Sequence, residues 1–302
     1  MAPGPIWLVT AMATMTVMSA LVRVATGGLH PFVVVFFATA MIAGAMMVIL
    51  RRRGLPILPR RRIGRYLVRA AFDGIAFITW YYAVSSIPLA EATALFFTLP
   101  LFVVVLAATM LGETIGWRRW AAVALGFIGT MVVLRPDMVG LEIGALAALL
   151  AALTSASSNV MVRALARDDP PVAVMGWNMV LLIPIPLAAA LTQWTTPTAP
   201  QFAWLIGIAA LAGATQFCLT RAYAATEASQ LAPFQFTQLV FAALVGFAAF
   251  GEVPDLWTVL GGALIAGSAI YVALREARLA RRGASAKPGI ACKKPSAKGA
   301  SG

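Results

Sequence analysis

Apolar runs, each close to 20 residues, follow one another from residue 6 to residue 274, with polar positions gathered between them. About 20 helical residues rise about 30 Å, the thickness of bilayer hydrocarbon. The pattern predicts ten membrane-spanning helices, at 6–25, 31–50, 66–86, 89–111, 118–135, 142–164, 172–192, 202–221, 231–250 and 255–274. Turn signals separate them. Gly27-Gly28 and Pro31 follow the first run, Pro136 the fifth, Asp168-Asp169-Pro170-Pro171 the sixth, and Thr195 to Pro200 the seventh. A transmembrane barrel would alternate over segments of about 10 residues, and the continuous runs exclude it.

The stretch from Phe97 to Leu134 returns 139 residues later, from Phe236 to Ala273. Without gaps, Phe97-Thr98 falls on Phe236-Thr237 and Gly112-Glu113 on Gly251-Glu252. Apolar matches arise from composition alone, whereas two dipeptides held at one internal distance are harder to produce by chance. The chain therefore reads as two copies of a five-span unit, 1–138 and 139–279. A Lys/Arg/Gly/Ser/Ala-rich tail over 280–302 is expected to be disordered and to lie near anionic headgroups.

Composition agrees with this reading. The 302 residues are 61% hydrophobic and 11% charged, against about 25% charged in soluble domains. A net charge of +12 by itself suggests nucleic acid, but its placement is topogenic. Twenty-one of the 23 Lys and Arg residues fall on one side of the expected membrane, leaving Arg23 and Arg135 on the other. The positive-inside rule then puts both termini in the cytoplasm, in a plasma (inner) membrane. Five is an odd number, so the second copy enters the membrane the opposite way round. The expected fold is all-α and integral to the membrane: ten helices, as two inverted five-helix repeats around a central cavity. The N-terminal run is read as an uncleaved first span, since no basic region precedes it and no small-residue cleavage site follows. Cys218 and Cys292 are too few for a disulfide framework or a zinc site.

Further features carry a resemblance. These are an aromatic or alanine-rich third span in each copy, small-residue loops (SSIPLAEATAL and ATEASQLAPF), a central proline or polar residue, Gly-Glu, and a glycine-rich fifth span. In these the chain resembles the EamA-type branch of the drug/metabolite transporter superfamily, over roughly residues 5 to 275 and in both halves. The resemblance implies spans one to four and six to nine around the cavity, with the fifth and tenth bracing from outside. It also implies substrates among amino acids (aromatic ones included), nucleotide-derived metabolites and organic cations, often moved outward. One position departs from symmetry: Pro100 stands where the second copy has Leu239. A hinge there is not expected to be shared by the two halves.

No G-x-x-x-x-G-K-[ST] loop occurs and no lysine precedes Lys287, so ATP-driven transport by this chain alone is not expected. The single histidine, His30, sits in a loop, and no paired carboxylates or metal-ligand clusters stand out, so no enzyme activity, cofactor or metal is expected. Polar residues inside spans are costly and usually face the bundle interior or a water-filled path. Gln216, Tyr223, Gln235 and Gln238 in spans eight and nine, Asn159 in span six, and Trp177 and Asn178 in span seven are the cavity candidates. Phe77 and Tyr81, four apart on one face of span three, join them. The alternatives are interhelical hydrogen bonds, worth about 0.6 kcal/mol on average, and an interfacial aromatic belt.

Asp73, four residues after Arg69, reads as half of a structural ion pair before it reads as a proton site. Glu91 sits where a helix N-terminus favours an acid, or where a gate titrates. Glu113 and Glu252 are expected to meet backbone or basic groups, and Arg221 to anchor its span's cytoplasmic end. Pro100, Pro184, Pro186 and Pro233 are hinge candidates. Gly126, Gly129, Gly261, Gly262 and Gly267 permit close helix approach.

The expected function is secondary transport by alternating access, exporting amino acids or similar small amphipathic metabolites. The alternatives are export of organic cations or drugs, and carriage of nucleotide-derived metabolites. Outside transport they are an integral-membrane enzyme or a scramblase-like protein. The expected partners are the small-molecule substrate and membrane lipid, without nucleic acid or ATP, and a proton is the candidate coupling ion.

Overall fold

A computed structural model of the chain describes residues 3–58, 62–111, 117–134, 142–165, 169–225, 231 and 234–285. Its regular elements are helices: α1 (Pro3–Thr26), α2 (Pro31–Arg52), α3 (Ile63–Ser86), α4 (Leu89–Phe96), α5 (Leu99–Leu111), α6 (Trp117–Leu134), α7 (Ile143–Leu165), α8 (Pro171–Leu181), α9 (Pro184–Thr192), α10 (Ala199–Ala225), α11 (Thr237–Phe250) and α12 (Leu256–Ser285). Six stretches are long and apolar enough to cross a membrane, and shorter apolar helices lie in α6, α11 and α12. The third expected span, within α3, is less apolar, because Arg65, Arg69 and Asp73 lie in its first half. This is a multi-pass helical membrane protein.

Two expected spans are interrupted. The fourth breaks at Phe97-Thr98 into α4 and α5, the seventh at Leu182-Ile183 into α8 and α9. Pro100 has no N–H for the Phe96 carbonyl, and neither Pro184 nor Pro186 can continue the ladder from α8. The chain tightens there instead, Thr98 N–H donating to Leu95 O at 3.1 Å and Ile185 N–H to Leu182 O at 3.1 Å. The second half breaks too, with Phe236 in a turn just before α11, although Leu239 replaces the proline. The break recurs at the equivalent point in the second half, and a threonine makes the same bond at both. Thr98 Oγ1 donates to Leu95 O, and Thr237 Oγ1 to Phe234 O, both at 2.7 Å. A hydroxyl bonded three residues back competes with the helical ladder, although the same bond from Ser268 to Ile265 O leaves α12 unbroken.

α1 packs chiefly on α10, α3 on α7, and α6 on α12; α2 lies against α8 and α9, and α4 against α11. The main core runs through α1 to α4, α7, α10 and α11, from Val22 and Val33 to Leu205 and Ala242. α12 continues to Ser285, past residue 280 where disorder was expected, in a stretch rich in the helix formers Ala, Arg and Glu. The rest of the tail lies outside the described residues.

The α6–α12 seam depends on glycine. A Cβ on Gly261 would meet Val133 Cγ2 at 2.5 Å and Gly129 O at 2.6 Å, and one on Gly129 would meet Gly261 O at 2.8 Å. Gly126 is equally crowded by Leu101, whereas Gly267 has open space around it. Gly261→Val should therefore lower the unfolding temperature of the purified protein, by overpacking worth about 2–3 kcal/mol, while Gly267→Ala leaves it nearly unchanged. Equal melting of the two variants would show that the seam yields.

Candidate functional site

The phenylalanines of the repeated Phe-Thr dipeptides meet in the main core. Phe97 and Phe236 stack, centroids 4.7 Å apart and planes at 29°. Both sit on helix breaks, where the ring is held by a turn instead of a regular ladder. Trp80 packs on Phe96 beside them, at 4.7 Å. The sequence carried the dipeptides as repeat markers; only the fold brings them into contact.

At one end of the bundle, the second Gly-Glu copy ties α11 to α1 and α4. Gly251 ends α11 in a left-handed conformation (φ 68°), which glycine adopts without steric cost. Gly251 N–H donates to Phe247 O at 2.9 Å and Glu252 N–H to Gly246 O at 3.1 Å. That turn sends the Glu252 side chain across the molecule. One carboxylate oxygen pairs with the Arg23 guanidinium at the end of α1. The other accepts Leu89 N–H at 2.9 Å, capping α4, whose own N-cap residue, Pro88, makes no side-chain cap. Arg23 also donates to Ile87 O at 3.3 Å and lies over the Phe250 ring at 4.8 Å. The expectation that Glu252 meets backbone and basic groups holds; its copy Glu113 lies outside the described residues. A cavity of about 130 Å³ opens here, lined by Pro88, Glu91, Ala242, Gly246, Glu252 and Asp255 among others.

A second cluster lies near the start of α3. Tyr66 O–H donates to Asp169 Oδ2 at 2.8 Å, and its ring meets Trp177 edge-on at 5.3 Å. Trp177 Nε1–H donates to Pro56 O at 2.7 Å. Arg69 is buried, its Nη1 donating to Val174 O at 2.9 Å and its Nε to Ser158 Oγ at 3.4 Å. The expected Arg69–Asp73 pair is present but long, at 3.7 Å. The nearer partner is Asn178, whose Nδ2 donates to Asp73 Oδ2 at 2.6 Å. No sequence spacing links Asn178 to Asp73, 105 residues away.

The cavity candidates are thus dispersed. Trp177 and Asn178 belong to the second cluster. Phe77 and Tyr81 pack in the main core, Tyr81 fully enclosed. Gln238 is buried at the start of α11 and Gln235 half-buried just before it, on either side of Phe236. Gln216 is half-buried, 3.8 Å from Met175 sulfur. Asn159 is exposed, while its neighbour Ser158 faces α3. The Tyr223 side chain and Pro233 lie outside the described residues. Glu91 lines the small cavity in the first turn of α4. Pro100, Pro184 and Pro186 mark the two breaks. Arg221 lies over Phe217 at 5.3 Å, and His30 caps α2 through Nδ1. A larger cavity of about 480 Å³ lies between α6 and α12, away from all of these.

Comparison with known proteins adds to this geometry. A family model described as the EamA-like transporter family matches residues 2–135 and again 142–274. A riboflavin transporter of Rhizobium johnstonii is 32% identical over 234 residues, covering 77% of this chain and 78% of that protein. An S-adenosylmethionine uptake transporter of Rickettsia prowazekii is 24% identical over 273 residues (90% and 93%). The pseudopaline exporter CntI of Pseudomonas aeruginosa is 29% identical over 272 residues (87% and 93%). A solved crystal structure shares the fold at a TM-score of 0.60 and 18% identity, over 92% of this chain and 98% of its own.

Proposed function

Since the chain belongs to the EamA-like transporter family, we propose that it carries a small metabolite built on a planar ring system, of the flavin or nucleoside kind, by alternating access. The observation that carries this reading is the stacked pair Phe97 and Phe236, at the helix breaks where the two halves meet. Ring faces at a pliable junction suit a flat conjugated substrate through stacking. Gln235 and Gln238, flanking Phe236 in the chain, supply amides for its polar edge. The similarity to a riboflavin transporter points to the same chemistry.

Ten spans in two inverted halves fit the packing. Exchanging the halves turns the α1–α10 contact into the α7–α3 contact, and returns α6–α12 and α2–α8/α9 to themselves. The Arg23–Glu252 and Asp73–Asn178 clusters then become the two ends of one pathway, outside and cytoplasmic respectively, in an inner membrane with both termini inside. Single cysteines at Gly54 and Thr195, with Cys218 and Cys292 replaced, test that orientation. A membrane-impermeant maleimide should reach Thr195→Cys from outside and Gly54→Cys only from inside, and the reverse would invert the topology.

Amino-acid export, the expectation from sequence, keeps the support of the neutral amides Gln216, Gln235 and Gln238, which suit a zwitterion. Proteoliposome flux of labelled riboflavin, S-adenosylmethionine, tryptophan and glutamine separates the readings. Saturable riboflavin entry, competed by flavins and not by glutamine, is expected. Saturable tryptophan or glutamine flux without riboflavin flux would transfer the assignment to amino acids.

A further inference from the structure

Of the acidic residues, Asp73, Glu91, Glu142 and Asp255 fall inside an expected span, the last two at its first position, and Asp73 is the deepest of the four. It stands ten residues into α3, about 15 Å along the helix. We propose that Asp73 is a proton-binding site whose occupancy alters the tie between the two halves, an inference that rests on reading the chain as a secondary transporter.

The geometry around Asp73 is incomplete in one specific way. Arg69 meets its charge only at 3.7 Å, with Nη1 spent on Val174 O, and the Ser158 hydroxyl of α7 also faces the carboxylate. The short bond is to Asn178, 2.6 Å away on α8. Asn178 is fully buried and its Oδ1 has no hydrogen-bond partner among the described residues. A buried amide acceptor left unmade is a cost that folded proteins rarely leave standing. A proton on Asp73 supplies the missing donor. Once the Asn178 amide turns over, the new carboxyl O–H donates to Oδ1, and the bond from Nδ2 is given up. The proton comes from water at whichever end is open and returns to water at the other, so nothing else is consumed. Arg69 stays charged, held by Val174 O and Ser158, but loses its counter-ion.

The charged and titratable neighbours are few. On α3 they are Arg69 and Tyr66, and Tyr66 donates to Asp169 just ahead of α8. α7 presents Ser158, with Arg163 five residues on, and α8 presents Asn178. α2 carries Arg51 and Arg52 in its exposed last turn, and α9 carries no ionisable residue. Arg23 of α1 and Glu91 of α4 belong to the opposite end.

The test uses the full chain in two arms. In nanodiscs without substrate, infrared difference spectra across a pH titration should show a protonated-carboxyl stretch that vanishes in Asp73→Asn and shifts its midpoint in Asn178→Leu. In proteoliposomes, a gradient of about one pH unit should sustain about tenfold riboflavin accumulation per proton in the wild type. Asp73→Asn should lose that accumulation while still exchanging labelled for unlabelled riboflavin at equal pH; Asp73→Glu should keep both. Accumulation surviving in Asp73→Asn overturns the proposal. So does exchange falling as far as accumulation, which marks a structural role, or a carboxyl band indifferent to Asp73→Asn. If the wild type moves no riboflavin, the ring-metabolite reading fails instead, and the infrared arm still decides Asp73.

Discussion

Glu252→Gln is expected to release one end of the bundle. The substitution keeps an oxygen for Leu89 N–H but removes the charge facing Arg23, leaving a guanidinium partly enclosed by Ile87 O and the Phe250 ring. Removing one partner of a desolvated pair costs more than the pair contributes, because the other charge stays behind. Both side chains are mostly but not wholly shielded, so the lower part of the range applies, about 2–3 kcal/mol. That penalty falls on the state closed at this end and favours the open one. With Cys218 and Cys292 replaced, a cysteine at Ala242 reports the change, since Ala242 is buried and lines the adjoining cavity. Its labelling by an impermeant maleimide should rise at least about tenfold in Glu252→Gln. Arg23→Gln should act in the same direction, and the double variant should fall short of the sum of the two. An unchanged labelling rate would show that the pair does not hold this end shut.

The second large effect is expected at the ring pair. Stacking a planar substrate on one aromatic face is worth about 1–3 kcal/mol. Phe236→Leu should therefore raise the KM for riboflavin by about 5- to 150-fold. Leucine keeps an apolar side chain of similar bulk but offers no face. A cavity effect would move melting temperature and flux together, so both are measured, and Phe236→Trp, which restores a face, should recover riboflavin transport. Equal losses for leucine and tryptophan would return Phe236 to a packing role. Phe97→Leu should behave like Phe236→Leu if the two halves share the site.

These predictions rest on contacts of different legibility. Six of the apolar runs appear as helices long enough to cross a membrane and others as shorter apolar helices, because length and hydropathy are local properties that the bilayer reads directly. The Arg69–Asp73 pair was visible as an i, i+4 spacing, and the close glycine seam was visible at Gly126, Gly129 and Gly261. The helix break at Phe236 in the second half was not anticipated. Proline marked the break in the first half, yet the second half breaks without it at the equivalent point, beside Thr237. A threonine inside an apolar run is a weaker mark than a proline, and its effect shows only once its hydroxyl has chosen a carbonyl. Asn178 and Trp177 were singled out as polar residues in a span, but their partners, Asp73 and the Pro56 carbonyl, lie more than a hundred residues away.

The amino-acid order by itself determined a duplicated, helical, membrane-crossing chain, since burying apolar runs in hydrocarbon needs no knowledge of which helix neighbours which. Tertiary structure alone decided which polar groups became partners: Glu252 with Arg23 and Leu89 N–H, Asp73 with Asn178, Phe97 with Phe236. The reason is energetic. In hydrocarbon each unpaired polar group must find a mate, and with few polar residues per span the mate is chosen by three-dimensional packing, across distances that no local spacing encodes.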